Sequence, residues 1–216
     1  IRAVARLHHR FIPAIFDFGE VSQVLAEQSE GKLVAGSPWF AVDLCDGGSL
    51  AARIDSMDWV DIRSVLLALL DALGHAHSRG LIHRDLKPAN ILFDGPDDIL
   101  KLVDFGLAVD TSGGAEDQEE DFVVGTLSSM APEQFAGRTR DFGPWRDLYA
   151  LGCLAHRLVC RPRPYAPRDE MAPREAHLTS PLPLLQPAIA VPDGPEPWVY
   201  RLLAKETADR LKLAAD

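Results

Sequence analysis

Asp85, Lys87, Asn90 and Asp104 fall inside one stretch, HRDLKPANILFDGPDDILKLVDFG at residues 83–106. Two apolar runs, Ile91–Phe93 and Ile99–Val103, flank Asp94-Gly95-Pro96-Asp97-Asp98, a strong turn signal, so the stretch reads as a hairpin. In a hairpin the start of the first strand lies beside the end of the second. Asn90 and Asp104 are therefore expected to be neighbours. A carboxylate and an amide oxygen are hard donors that suit Mg²⁺. Asp85 and Lys87, two residues apart in extended backbone, can project the same way. A carboxylate beside a cation beside a metal is a set that phosphoryl transfer needs. One group orients the attacking hydroxyl and accepts its proton, and another neutralises the transferred phosphoryl oxygens.

The tripeptide DFG occurs twice, in AIFDFGEV (14–21) and in KLVDFGLA (101–108). Only Asp104, in the second copy, has a partner loop beside it. Asp17, in the first, reads as a strand running into a turn. Gly47-Gly48 could cradle a phosphate, but a turn between elements is the simpler reading. His8, His9, His75 and His77 read as surface or helix-packing residues, since their pairwise spacing is no metal signature.

The elements that must position these groups are partly legible. IRAVARLHHR (1–10) has a helical apolar face that Pro13 ends. IPAIFDFG, VSQVLAEQ and SPWFAVDLC read as strands, and CDGGSL as a break into a small helix, SLAARI. Residues 58–79 are the clearest helix, with Asp58 as N-cap, an apolar stripe of Val65, Leu66, Leu69, Leu73 and Ala76, and Gly80 after its end. DLYALGCLAHRLVC (147–160) is apolar on most sides and is expected to be buried. Prolines recur from 161 to 197 and disfavour long helices, and EPWVYRLLAKETADRL reads as a last helix. Strands first and helices later indicate an α+β protein with a mostly helical bulk.

The chain has 216 residues, 47% hydrophobic and 25% charged, enough apolar content for a real core. Its net charge of −10 argues against a general nucleic-acid binder. Three scattered cysteines, Cys45, Cys153 and Cys160, form no CxxC pair and suit a reducing, cytoplasmic setting. No run approaches the ~18 apolar residues of a membrane span, and no signal peptide is visible.

HRDLKPAN followed by DFG resembles the catalytic and metal loops of protein kinases. WFAVDLCDGGSL (39–50) is similar to the hinge region, GTLSSMAPEQ (125–134) to the end of the activation segment, and DLYALG (147–152) to the start of a buried large-lobe helix. Lys87 fits a Ser/Thr kinase, since tyrosine kinases carry a different loop there, and the wording of AHSRGLIHRDLKPAN and GT…MAPEQ resembles the bacterial type. The resemblance implies a protein-kinase-like fold, with residues 1–44 as the remainder of a small lobe and 45–216 as the large lobe. It implies ATP and Mg²⁺ as cofactors and Ser/Thr-bearing proteins as substrates. Asp85 would be the catalytic base and Lys87 would contact the γ-phosphate. Asn90 and Asp104 would hold the metal. The backbone of Asp43 and Cys45 would bind adenine, with Val42 behind the ring and Leu92 beneath it. Arg84 would receive an activating phosphate and Thr126 would support Asp85. Asp147 would hold the loop backbone, and Glu133 and Arg210 would form a buried ion pair. His83, tempting as a base, would be a packed structural residue.

Departures accompany the resemblance. No glycine-rich loop, third-strand lysine or helix glutamate is present, and Lys32 lies in a turn. The sequence reads as a piece of a longer chain with further domains, and alone it is expected to bind ATP poorly and be nearly inactive. Ser129, Leu127 and KETADR replace commoner residues. Acidic Glu116–Asp121 reads as a solvated loop, or else as a partial substitute for a phosphate near Arg84. Thr111, Ser112 and Thr126 are alternative regulatory positions. Two other readings exist. A pseudokinase or ATP-binding scaffold is disfavoured because both aspartates are kept. A small-molecule phosphotransferase of kinase-like fold is disfavoured by Lys87 and by Ala131-Pro132-Glu133.

Overall fold

The computed structural model describes residues 4–105, 127–137, 143–165, 173–182 and 184–214. A single 3₁₀ turn at Val4–Arg6 stands where the opening apolar face suggested a helix. Strand β1 (Ile15–Glu20) pairs antiparallel with β2 (Pro38–Val42). Asp17 sits inside β1 opposite Ala41, at an irregularity in the pairing, and its Oδ1 accepts from the Phe18 N–H at 2.9 Å. The strand continues through Gly19, so Asp17 does not end it.

VSQVLAEQ is not a strand. Ser22 caps a short helix, α1 (Gln23–Gln28), by accepting from the Leu25 N–H. The cap and the straight-chain residues that follow outweigh the two valines. Two 3₁₀ turns, Leu50–Ala52 and Ile54–Ser56, follow β2.

Helix α2 (Trp59–His77) begins as the sequence indicates. Asp58 accepts from the Asp61 N–H at 3.0 Å, and Asp61 accepts from the Asp58 N–H at 3.2 Å. This reciprocal cap satisfies two orphan donors. Val65, Leu66, Leu69, Leu73 and Ala76 are all buried. The chain leaves the helix through Gly80, whose φ of 73° is the left-handed conformation that glycine accepts without steric cost.

The hairpin forms in the expected place. Strand β3 (Ile91–Asp94) pairs antiparallel with β4 (Ile99–Leu102), in register Ile91↔Leu102. Ile91 and Phe93 point into the core, while Leu92 and Asp94 are half-buried on the other side.

Short helix α3 (Pro132–Phe135) precedes α4 (Trp145–Cys160), which is buried along most of its length. Among the described residues, helices α5 (Pro173–Thr179) and α6 (Pro195–Leu202) follow. α4 packs against α2 on one side and α6 on another. A Cβ on Gly152 would stand only 2.8 Å from Leu202 Cβ, so the missing side chain permits this close approach. α6 ends at Leu202 rather than running to Leu211. The cause is tertiary. The Ala204 and Lys205 carbonyls are taken by the Arg210 guanidinium at 2.9–3.3 Å instead of by helical N–H groups. Among the described residues no helix is long and apolar enough to cross a membrane.

Candidate active site

The loop between α2 and β3 is held from below by one carboxylate. Asp147, in the first turn of α4, accepts from the His83 and Arg84 backbone N–H groups, both at 2.8 Å. Its Oδ2 also lies 2.8 Å from His77 Nε2, at the end of α2. Burial pushes the Asp147 carboxyl up, but the bond from His77, the electrostatic influence of the His83 and His77 rings and the Arg84 N–H together outweigh it, and the net direction is down. Asp147 therefore stays ionised as a fixed acceptor for three donors.

His83 is fully buried. Its Nε2 lies 2.7 Å from the Val103 carbonyl, and its Nδ1 accepts from the Asp85 N–H at 3.3 Å. Those partners require the neutral tautomer with the proton on Nε2. Burial pushes its pKa down in the same sense. A ring with both nitrogens committed in the core cannot take a substrate proton.

Above this support sits Asp85, about one-third exposed. Lys87 Nζ donates to its Oδ2 at 2.6 Å. Asn90 Nδ2 donates to the same oxygen at 3.0 Å and to the Asp85 carbonyl at 2.9 Å. With its side-chain nitrogen so engaged, Asn90 has its side-chain Oδ1, distinct from its backbone carbonyl, left for a cation. The Val103 N–H donates to the Asn90 carbonyl at 2.9 Å, which extends the hairpin pairing one step and sets Asp104 just beyond. Asp104 is exposed, and its φ of 62° is unusual for a residue with a side chain. Arg84 shares that strain at φ 72°. Among the described residues no group of three or more His, Cys, Asp or Glu stands together for a metal. A carboxylate with one amide oxygen suits an ion that keeps several waters and takes other oxygens from a phosphate ligand, as Mg²⁺ does.

The segment after β2 offers backbone groups. The Asp43 N–H donates to the Ala14 carbonyl at 3.2 Å, and its carboxylate accepts from the Ala14 N–H at 2.9 Å and lies 3.5 Å from Lys101 Nζ. Among the described residues its carbonyl meets only the Cys45 thiol, at 4.0 Å. The Cys45 N–H has no partner among the described residues. An acceptor and a donor two residues apart are thus without a backbone partner among the described residues. Burial, then the charge of Asp94, push the Cys45 thiol up, so it is no thiolate. Val42 ends β2, 37% exposed, and Leu92 bridges to Ser49. Gly47 brings its backbone onto β3, donating to the Phe93 carbonyl at 2.9 Å, where a Cβ would collide with that same oxygen. Gly47-Gly48 is thus a packed turn rather than a phosphate cradle.

Farther off, Arg210 Nη1 and Nη2 reach the two Glu133 oxygens at 2.8 and 3.2 Å, both residues buried. Thr126, Gly106 and the acidic 116–121 stretch lie outside the described residues.

A family model for the protein kinase domain matches residues 1–203. The chain belongs to the protein kinase family. Serine/threonine-protein kinase PknF of Mycobacterium tuberculosis is 31% identical over 99% of this chain and 44% of its own length. The probable serine/threonine-protein kinase PknB of Bifidobacterium longum is 30% identical over 99% of the chain and 31% of its own length. Pkn1 of Myxococcus xanthus is 34% identical over 97% of the chain and 29% of its own length. The chain spans less than half the length of these kinase relatives.

Two features of the site were missed from sequence alone. His77 continues the α2 stripe four residues after Leu73, so helical spacing already put it on the buried face. The Asp43–Lys101 contact joins segments far apart in sequence, and no local pattern signals it.

Proposed function

We propose that the protein containing this chain transfers the γ-phosphoryl group of ATP to serine or threonine hydroxyls of other proteins. The observation that carries this reading is the Asp85 carboxylate, tied to Lys87 and Asn90 on a loop that Asp147 anchors to the core. The substrate hydroxyl oxygen attacks phosphorus as its proton passes to Asp85, and ADP departs with the bridging oxygen. Lys87, beside Asp85, supplies positive charge to the transferred oxygens. Asn90 and Asp104 would hold Mg²⁺, which neutralises phosphate charge when bound. The Asp43 carbonyl and the Cys45 N–H match the donor and acceptor edge of adenine, with Val42 behind it and Leu92 below. Arg84, exposed and near Arg146, would receive an activating phosphate, and Thr126 would steady Asp85. Glu133, Arg210 and Asp147 are structural supports.

In this reading residues 1–44 belong to a small lobe and 45–216 to the large one. The protein works in the cytoplasm and carries further domains. Nucleic acid is not among its partners.

The test uses the full-length protein with Mg-ATP and a serine/threonine peptide array. Label is expected on serine or threonine, reduced at least roughly 100-fold in Asp85→Asn. Transfer that survives Asp85→Asn undiminished, or no transfer from the unaltered protein, would overturn the assignment.

A further inference from the structure

A cavity of about 260 Å³ adjoins the Leu86–Ala89 part of the loop. Lys87, Pro88 and Ser129 form one wall, and Cys153, Arg157 and Arg163 form another. Lys87 therefore faces this cavity while its ammonium touches Asp85. The charge of the lining is one-sided. Among the described residues three cationic side chains reach it and no carboxylate does, in a chain whose net charge is −10. Arg157 comes from the last turn of α4, and Arg163 from the turn that follows. Both are half-buried, and neither side chain has a hydrogen bond or ion pair among the described residues. Burial, then the charge of Arg163, push the Arg157 guanidinium down, with Asp55 alone pulling the other way. The Cys153 thiol is buried and pushed up to about 12, so it adds no compensating charge. Two half-desolvated guanidinium groups around one opening are costly without an anion and favourable with one.

We propose that Arg157 and Arg163 form a subsite for an anionic side chain of the protein substrate, a few residues along the chain from the hydroxyl that reacts at Asp85. The inference rests on the kinase reading above and names the substrate class it acts on. An extended peptide advances ~3.3 Å per residue, so a chain whose hydroxyl meets Asp85 passes the Lys87 wall within a short span. Arginine forks bind carboxylates or phosphates in two-point fashion, and a glutamate, an aspartate or a phosphorylated residue would satisfy the same pair.

The test is a positional peptide library presented to the full-length protein with Mg-ATP. Serine is fixed, and each flanking position carries Ala, Glu, Lys or phosphoserine in turn. One flanking position is expected to favour Glu over Lys by roughly tenfold in kcat/KM, the scale of one charge-assisted hydrogen bond. Comparing Glu with phosphoserine there identifies the preferred anion. In R157E/R163E the preference at that position should invert to Lys. The single variant R163E, on the turn rather than the buried helix, should reduce it if the double variant does not fold. A flat profile from an active protein, or a Glu preference unchanged by R163E, would overturn the subsite while leaving the kinase reading intact. No labelling of any peptide would instead remove the kinase reading beneath it.

Discussion

His77 and Asp147 meet at 2.8 Å although seventy positions separate them, and each side chain is only 1% exposed. The pair ties the end of α2 to the start of α4. The same carboxylate then holds the His83 and Arg84 backbone, so two helices and the Asp85 loop share one anchor.

Replacing Asp147 by alanine strands three donors, two of them buried. A loss of about 3–5 kcal/mol is expected, the range for breaking a buried charged network. Urea unfolding measures it. Phosphoryl transfer should vanish even at temperatures where the variant remains folded, because the Asp85 loop loses its support.

Acid sensitivity follows from His177. Burial, then the charge of Lys205, push its pKa down to about 4, and its Nδ1 lies 2.8 Å from the Tyr149 hydroxyl. The unfolded ring, with its ordinary value of 6.5, binds a proton that the folded one refuses. Stability should therefore fall as pH drops from 6.5 towards 4 and level off below that for this group. The total is roughly 3 kcal/mol. Unfolding curves of H177Q should be flatter across that window, and an unchanged slope would contradict the assignment.

The depressed Asp147 carboxyl acts over a lower window. Its stabilisation is complete above the ordinary value of 3.8 and is lost as pH falls through the depressed folded value. The D147N protein, less stable throughout, should lack that final acid limb.

Strain at Asp104 separates stability from function. A left-handed backbone costs a residue with a side chain ~1 kcal/mol that glycine avoids. D104G should melt at the same temperature as the parent protein or slightly higher, yet lose Mg-dependent transfer. A melting point several degrees lower would mean that the carboxylate also supports the fold.

Arg210 bonds Glu133 twice and also meets the Ala204, Lys205 and Trp145 carbonyls. E133A leaves a buried cation, with an expected cost of about 3–5 kcal/mol. R210K should rescue little, since an ammonium cannot reproduce the planar fork. The double variant E133A/R210A should cost less than the sum of its parts, measured by denaturant unfolding.

Local chemistry determined much of this protein in advance. Asp58 and the five-residue apolar stripe define α2. The DGPDD turn defines the β3–β4 hairpin, and that hairpin places Asn90 beside the approach to Asp104. These signals act over a few residues, so the one-dimensional chain carries them. The tertiary structure decided what depends on remote partners. EPWVYRLLAKETADRL has helical spacing throughout, yet Arg210 takes the carbonyls that would have continued it. His77 carries no mark of its partner, because the carboxylate it meets arrives from α4 only when the core closes. The two arginines facing the cavity beside Lys87 are likewise six positions apart in an unremarkable sequence, and only packing turns them towards one opening. Periodicity and caps are short-range effects, whereas buried charge finds its counterpart through the fold.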